Sequence, residues 1–422
     1  MSSTVADLEI AAFGIERVVE GTQTGRDGTT LTVSIPQLAV GAGEPALAEA
    51  TVEVVRPGDA VRVANVLDVV LPSVKVGDPD GTFPGVIAGI GRAGAGRTDR
   101  LTGVAVLSAC DWFAAGYAGP SEFPDSIIDM AGPGADRSPY GATSNVVLRF
   151  VPAAGAPVAE VDGAIRRATL RVARDLAATA IGQDPDIVTP YPWPPVRRAG
   201  RDLPRVAVIL QVASEGPLAD TFLEGGPLGG VNPVSPQVLD PRLILDGGLT
   251  NGAYDWAAVR NVTAAYQGSA LLNELFVGHG ERLRFAGVIL ALGYLDTPAQ
   301  KLRSAEASAG LAKALGADGV ICTTFSSGNS HTDTMLTIRA CEALGVATAG
   351  LICETEGGLT DHVREADCLV STGNEDDLVP AWTPDRVSGS VDAARAGEPV
   401  PMWAYVGGCS QMGQTNWTAV PA

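Results

Sequence analysis

RVAVILQVA (205–213) opens the stretch of sequence that decides the fold. The strands LRFAGVILAL (283–292) and GVICTTF (319–325) follow it, and the helix TPAQKLRSAEASAGLAKALG (297–316) separates these two. A strand, a helix and a second strand in this order form a right-handed βαβ unit, in which the strands are parallel and helices cover the sheet. The sequence therefore predicts an α/β protein with a three-layer domain and a mainly parallel sheet over 201–380.

The rest of the chain divides into three further parts. Short alternations of apolar and polar residues, broken by Gly and Pro, predict a strand-rich module over 1–80. A Gly-rich mixed α/β segment follows over 81–200, with an amphipathic helix at 159–181 and a Pro-rich linker at its end. The tail at 381–422 has little periodicity, and we expect it to pack on the body or on a partner.

The composition of the chain excludes several classes of function. Its 422 residues carry a formal net charge of −19, which repels nucleic-acid phosphates and anionic membrane surfaces. No apolar run is long enough to cross a bilayer, so neither nucleic acid nor a membrane is expected as a partner. The cysteines are scattered and follow no signal-peptide pattern, which predicts a cytoplasmic protein. We expect Cys409, in GGCSQ, to be exposed and the other cysteines in apolar runs to be buried.

Polar residues follow the strand GVICTTF, at the edge where a parallel sheet presents its strand ends to ligands. Gly328 and Asn329 stand at the start of the next helix, and backbone N–H groups at a helix start bind anions, so both are candidate substrate-binding residues. His331 and Asp333 are the candidate catalytic residues, because the chain has only 3 histidines and this one has a carboxylate beside it. An ordinary helix cap explains the same residues, and no metal ligands are assigned.

A glycine-rich segment, GRAGAGRT (91–98), has the spacing of a phosphate-binding P-loop with Arg97 in place of the lysine. Arginine is a wider, forked donor, and no acid follows in the strand context of such sites, so nucleotide binding is not expected. We interpret the segment as a turn in which Arg97 and Thr98 pack or bind a small anion. Both are therefore candidate substrate-binding residues.

Two acids stand in the loop sequence IIDMAGPGADRSPY (127–140). Asp side chains in such a loop build tight turns, bind a cation or bind an amine. The chemistry of the loop alone favours turn-building. Asp129 and Asp136 are nevertheless candidate substrate-binding residues.

The order of these strings resembles the subunits of glycine, sarcosine and betaine reductase component B that are made as proproteins. The chain is also similar to the D-proline reductase proprotein. The strings that carry the resemblance are FPGVIAGIGRAGAGRT with LTGVAVL, IIDMAGPGADRSPY with NVVL, and GNSHTD. They occur in the family's order over most of the chain, and the second is long and specific.

The resemblance implies a hetero-oligomer with a second, often selenocysteine-containing component B subunit, which reductively cleaves the C–N bond of a small amine. It also implies a pyruvoyl group, made from a cysteine by self-cleavage, whose carbonyl captures the amine. Here the chain departs from the family, since GLTNGAYDW follows Asp246 and Gly247 and Tyr254 takes the place of the cysteine. Tyrosine cannot start the self-cleavage, which needs a Ser, Thr or Cys side chain. No cofactor is therefore predicted.

Three functions are compatible with these residues. The first is an uncleaved subunit of a reductase-like enzyme, which acts on a small nitrogen- or sulfur-containing metabolite without a pyruvoyl group. The second is a non-catalytic scaffold that shapes the active site of a partner. The third is a metal-dependent hydrolase or lyase that uses His331 and Asp333.

Overall fold

The chain contains many strands and fewer helices, and the α/β class is confirmed. The structure is a computed structural model. It describes residues 7–89, 93–112, 115–116, 126–192, 202–213, 220–228, 234–251, 258, 260–325, 328–355, 366–390, 394–413 and 418–420. Most of the Pro-rich linker lies outside these ranges.

The first half of the chain is rich in strands, as predicted. Its strands are β1 (Leu8–Gly14), β2 (Arg17–Glu20), β3 (Gly25–Asp27), β4 (Thr30–Val33), β5 (Leu47–Val55), β6 (Val61–Val63), β7 (Val66–Val70), β8 (Ser73–Lys75), β9 (Gly96–Thr102), β10 (Val104–Ala109), β11 (Ile128–Asp129), β12 (Ser144–Pro152) and β13 (Ile187–Tyr191). Its helices are α1 (Ile35–Gly41) and α2 (Val158–Ala178). The amphipathic helix predicted at 159–181 is α2.

The second half contains more helix. Its strands are β14 (Arg205–Val212), β15 (Phe222–Leu223), β16 (Gly226–Pro227), β17 (Gln237–Leu239), β18 (Leu249–Thr250), β19 (Arg284–Leu292), β20 (Gly319–Thr323), β21 (Ala347–Glu354), β22 (Cys368–Asn374), β23 (Leu378–Val379), β24 (Arg386–Ser388), β25 (Val400–Pro401) and β26 (Thr418–Val420). Its helices are α3 (Pro241–Leu245), α4 (Thr263–Gln267), α5 (Ala270–Gly278), α6 (Pro298–Ala314) and α7 (Asn329–Ala343).

The largest sheet has seven strands in the order β17-β19-β14-β20-β21-β22-β26. The strands from β19 to β22 pair in parallel, as the strand and helix alternation predicts. At the two edges β17 and β26 pair antiparallel with their neighbours, so the sheet is mixed. β14 lies in the interior of this sheet, and its residues from Ala207 to Val212 are buried. This burial explains why RVAVILQV is almost continuously apolar.

Two four-stranded sheets, β13-β1-β9-β8 and β5-β12-β10-β7, organise the first half. Each joins strands from both sides of residue 80, where the sequence places a boundary. One hydrophobic cluster also contains Leu8 and Val66 from the first half together with Val208 and Leu210 from β14. The two halves therefore share a core, and the division into domains stays a prediction.

The helices of the second half begin where their sequence signals indicate. α6 starts with a capping box, in which Thr297 and Gln300 each accept a backbone N–H of the other, and Pro298 occupies the first turn. Within the described ranges, no helix combines the length and the apolar character that a membrane span requires.

The expected exposure of Cys409 is wrong. Cys409 is buried, because its backbone N–H donates to the Ala258 carbonyl at 2.7 Å and its carbonyl accepts from Thr372 Oγ1 at 2.8 Å. These hydrogen bonds hold the GGCSQ segment against the body of the protein. The expected burial of Cys368 is also wrong, since this residue is exposed at the start of β22. Cys110, Cys322 and Cys353 are buried, as predicted.

Candidate functional site

The carboxyl ends of β14, β19 and β20 and the start of α7 meet at the edge of the large sheet. We call the polar residues there the strand-end site, which consists of Gln211, Tyr294, Lys301, His331 and Asp333. Gln211, Lys301 and Asp333 line one small cavity, whereas His331 and Tyr294 are not in its lining. His331 and Asp333 are the catalytic candidates from the sequence. The other three were not predicted.

Lys301 and Asp333 form an ion pair inside this site. Lys301 Nζ donates to Asp333 Oδ1 at 2.8 Å, and both residues are buried. The backbone N–H of Leu295 donates to the second carboxylate oxygen at 3.2 Å. Burial raises the pKa of Asp333, and Lys301 opposes this rise. The ion pair therefore holds two opposite charges in a buried position. The scarcity of lysine in the sequence was the one signal that could have singled out Lys301.

His331 lies near the start of α7, two residues before Asp333, and is only 8% exposed. Burial lowers the pKa of its imidazole to about 4, so the ring is neutral at neutral pH. Its Nε2 atom has no hydrogen-bond partner among the residues that the structure describes. The imidazole therefore has a free nitrogen for a ligand or a proton.

Gln211 ties the end of β14 to the start of α7. Its Oε1 accepts from the Phe325 N–H at 2.7 Å, and its Nε2 donates to the Ser330 carbonyl at 3.1 Å. Tyr294 follows β19 with a φ of 61°, a conformation that non-glycine residues rarely adopt outside functional sites and tight turns. The edge of the sheet is thus held in a defined shape by residues that a single sequence does not identify.

Gly328 and Asn329 are where the sequence places them, at the start of α7. Gly328 is the N-cap, with a φ of 62° and a ψ of −112°, and as a glycine it provides no side chain to cap the helix. A side chain with a Cβ is strained in this conformation, which explains the glycine. The ordinary helix cap offered as an alternative is therefore not formed by the N-cap residue. Ser326 and Ser327, which precede it, lie outside the described residues.

Thr98 and the glycine-rich segment belong to a second buried group, which we call the Asp246 cluster (Lys75, Gly94, Thr98 and Asp246). Thr98 Oγ1 donates to Asp246 Oδ1 at 2.5 Å, the Gly94 N–H donates to Oδ2 at 2.6 Å, and Lys75 forms an ion pair with the same carboxylate. Gly94 has a φ of 84°, and a Cβ there would lie 2.9 Å from the Leu243 nitrogen.

The segment runs into strand β9, whereas a P-loop runs into a helix. It therefore lacks the helix N-terminus that binds phosphate. Arg97 lies apart from the Asp246 carboxylate, since its Nε donates to Asp99 Oδ1 at 2.7 Å near the surface. Of the two donors that the sequence offered to a small anion, Thr98 therefore bonds to Asp246 and Arg97 to Asp99.

Asp129 and Asp136 are not brought together. Asp129 is 0% exposed, and its two oxygens accept from Arg62 Nε and Nη2 at 2.6 and 2.8 Å. Tyr405 Oη also donates to Asp129, at 2.9 Å. The side chain of Asp136 is 78% exposed and lies 3.4 Å from Arg137. We call Arg62, Asp129 and Tyr405 the Asp129 cluster, in which every member already has a partner.

A fourth polar group, the Asp68 network, surrounds the segment that leads to Tyr254. The Asn251 carbonyl accepts from Arg166, and the Asn251 N–H donates to Thr263 Oγ1 at 3.0 Å. Thr263 in turn donates from its N–H and its Oγ1 to Asp68 at 2.8 and 2.6 Å. Tyr254 itself, which the resemblance implies takes the place of a cysteine, lies outside the described residues.

Asp68 makes the stability of the protein depend on pH. Burial raises the pKa of its carboxyl from 3.8 to about 6. Between these values the folded protein keeps the proton and the unfolded chain loses it, so stability falls as pH rises from about 4 to about 6. A difference of about two pKa units between the folded and the unfolded state corresponds to about 3 kcal/mol of unfolding free energy.

The asparagine of Asp68→Asn cannot ionise, so the variant escapes the loss of stability that Asp68 causes as pH rises. We expect its unfolding free energy to increase by about 3 kcal/mol relative to that of the unsubstituted protein between about pH 4 and about pH 6. Denaturant unfolding of both proteins at a series of pH values measures the difference, in which the titration of all other groups cancels. Parallel pH profiles for the two proteins would contradict the assignment.

Comparison with known proteins places the chain in a family. The model of the glycine/sarcosine/betaine reductase component B subunits matches residues 6–398. The chain belongs to this family. The membership predicted from its sequence strings is thus confirmed, and the family consists of components of reductase complexes.

Individual relatives match at moderate identity. The glycine reductase complex component B subunits alpha and beta of Acetoanaerobium sticklandii are 31% identical over 348 residues, which cover 80% of this chain and 78% of that protein. The sarcosine reductase complex component B subunit alpha of Peptoclostridium acidaminophilum is 29% identical over 395 residues, 91% of this chain and 90% of that one. The betaine reductase complex component B subunit alpha of the same organism is 29% identical over 401 residues, which cover 92% of this chain and 88% of that protein. No solved structure matches the chain.

Proposed function

We propose that the chain is an uncleaved subunit of a hetero-oligomeric, reductase-like enzyme that acts on a small nitrogen- or sulfur-containing metabolite without a pyruvoyl group. Membership of the component B family supports its place in a reductase complex. The relatives are named as components of such complexes, so we expect a second component B subunit as its partner and the cytoplasm as its compartment.

The residues before Tyr254 carry the proposal. Thr250 is the one Ser, Thr or Cys between Gly248 and Tyr254, so it is the one side chain there that could start a self-cleavage. Its Oγ1 is buried, and none of the described residues hydrogen-bonds to it. A hydroxyl nucleophile needs an adjacent general base. The described surroundings of Thr250 offer none, which argues for an intact chain.

Thr250 and Tyr254 do not fit the formation of a pyruvoyl group. The strand-end site is then the part of this chain that supplies the chemistry. His331 is neutral and can donate or accept one proton at Nε2. Lys301 and Asp333 hold a fixed pair of charges next to the strand ends. Such a site can bind and orient a small metabolite and exchange a proton with it.

Intact-mass measurement of the purified full chain tests the proposal. We expect one species at the mass of the whole chain, 43.1 kDa, because Tyr254 cannot start a self-cleavage and the described residues place no general base beside Thr250. Two fragments that split near Thr250 would contradict it. The matched control is Thr250→Val, which keeps the shape of the side chain and removes the hydroxyl. Cleavage that disappears in this variant would identify Thr250 as the nucleophile.

A scaffold role remains the second candidate, because Asp129 is buried and paired rather than open to a ligand. Co-purification with the second component B subunit separates the two functions. Under the proposed function, Asp333→Asn lowers turnover of the complex and leaves its assembly intact. Under the scaffold function, turnover follows assembly in every variant.

A further inference from the structure

We propose that Cys353 and Cys409 form a redox-active dithiol, which closes reversibly to a disulfide by exchange with an external disulfide. The pair carries two electrons. This inference goes beyond the proposed function, because it adds an electron-carrying pair to a chain whose strand-end site exchanges only protons.

The two sulfur atoms meet next to Gly373. The Cys353 thiol donates to the Gly373 carbonyl at 3.2 Å, and a Cβ on Gly373 would lie 3.0 Å from Cys409 Sγ. The two thiols are within hydrogen-bonding reach of each other, and both residues are buried in one cluster. Both are free thiols. The sulfur atoms are thus close enough for a bond to form between them after a small shift.

The dithiol lies at the edge of the sheet where ligands of α/β proteins bind. Cys353 is the last residue but one of β21, and Gly373 is the last but one of β22. These strands run parallel to β20, so their carboxyl ends lie along the same edge as the strand-end site. Cys409 reaches this edge from a turn after β25. Because a turn opens more easily than a strand inside a sheet, Cys409 is the thiol that an external disulfide reaches first.

Glu375 supplies a carboxylate next to the pair, and it is only 2% exposed. The hydrogen bond with Cys409 is the largest cause of a raised pKa of the Cys353 thiol, and burial and the negative charge of Glu375 add to it. Cys353 therefore holds its proton until Cys409 has reacted. The Glu375 carboxylate is a nearby group that can then accept this proton.

The exchange takes place in two steps. The Cys409 thiolate attacks one sulfur of the external disulfide, so a mixed disulfide forms on Cys409, the external S–S bond breaks and the first thiol leaves. Cys353 then attacks Cys409 Sγ and releases the second thiol. The two cysteines are oxidised by two electrons, and the external disulfide is reduced to two thiols. These thiols take up the protons that the two cysteines lose.

A second pair of thiols gives a matched comparison within the same chain. Cys322 and Cys341 are also buried and within hydrogen-bonding reach of each other. Cys322 lies inside β20 and Cys341 inside α7, so a reagent reaches them only when the sheet or the helix opens. We expect this pair to stay reduced while the protein is folded.

Exchange with oxidised glutathione on the folded full chain tests the inference. Cys368 is exposed and would take up glutathione itself, so Cys368→Ser is the starting protein. We expect two thiols to become resistant to alkylation and a peptide that links Cys353 to Cys409 to appear in mass spectrometry. Dithiothreitol should restore both thiols. Circular dichroism on the same samples checks that the protein stays folded.

Variants separate the roles of the two thiols. Cys353→Ser should stop after the first step and retain one glutathione on Cys409, whereas Cys409→Ser should retain none. Cys341→Ser is the matched control and should oxidise as the starting protein does. Peptide mapping of the starting protein decides the matter even where a variant does not fold. The inference is overturned if the folded starting protein keeps all its thiols, or if the linked peptide joins Cys322 to Cys341.

Discussion

Replacing Asp129 by alanine is expected to lower the free energy of unfolding by about 3–5 kcal/mol. The loss is large because Arg62 is fully buried and would keep its charge without the carboxylate that now accepts two of its hydrogen bonds. Tyr405 would lose its acceptor in the same step. Denaturant unfolding followed by circular dichroism measures the change.

Asp136→Ala is the matched control, since it removes the other acid of the same loop. Its side chain is exposed, so we expect a change within about 0.5 kcal/mol. A double substitution, Arg62→Met with Asp129→Leu, removes both buried charges and should recover most of the lost stability. If Asp129→Ala and Asp136→Ala lose the same small amount, the buried ion pair is not what stabilises this region.

The second large effect is expected for Asp246→Ala, at about 3–5 kcal/mol of unfolding free energy. Asp246 is buried and accepts from the Gly94 N–H, from Thr98 Oγ1 and from Lys75. Its removal leaves the Gly94 N–H and the Thr98 hydroxyl without this acceptor, and it leaves the buried Lys75 ammonium without a counter-charge, with a hydrogen bond to the Ala95 carbonyl at 2.6 Å. The same denaturant experiment measures the loss.

Lysine substitutions rank the contributions within the Asp246 cluster. Lys75→Met should cost less than Asp246→Ala, because the carboxylate keeps two of its donors. Lys313→Met is the control, since Lys313 is exposed and, within the part of the chain that the structure describes, donates to the Leu344 carbonyl at 3.0 Å and to no carboxylate. A Lys75→Met variant as stable as Lys313→Met would show that the ion pair adds nothing to the hydrogen bonds.

The sequence predicts the parts of the fold that depend on local patterns. The continuous apolar run of β14 and the capping box of α6 are local signals, and both elements form where they indicate. The antiparallel edge strand β26 was not predicted, because its pairing with β22 joins two segments that local periodicity does not relate.

The same reason limits prediction of the site. His331 and Asp333 could be chosen because they lie two residues apart in the segment that follows a strand. Lys301 could not, since it reaches Asp333 from another helix, 32 residues away in the chain. Arg62 and Asp129 are 67 residues apart, and Tyr405 is 276 residues from Asp129. No motif in one sequence records such distant partners.

The Asp129 cluster links the order of synthesis to the order of folding. Arg62 and Asp129 leave the ribosome well before Tyr405 and before the Ala394 carbonyl, which accepts from Arg62 at 2.6 Å. β24 likewise completes its sheet by pairing with β6. In a nascent chain, the buried charges of Arg62 and Asp129 therefore lack some of their partners until residues 386–405 have been translated. The interior around this cluster is completed only by that later segment.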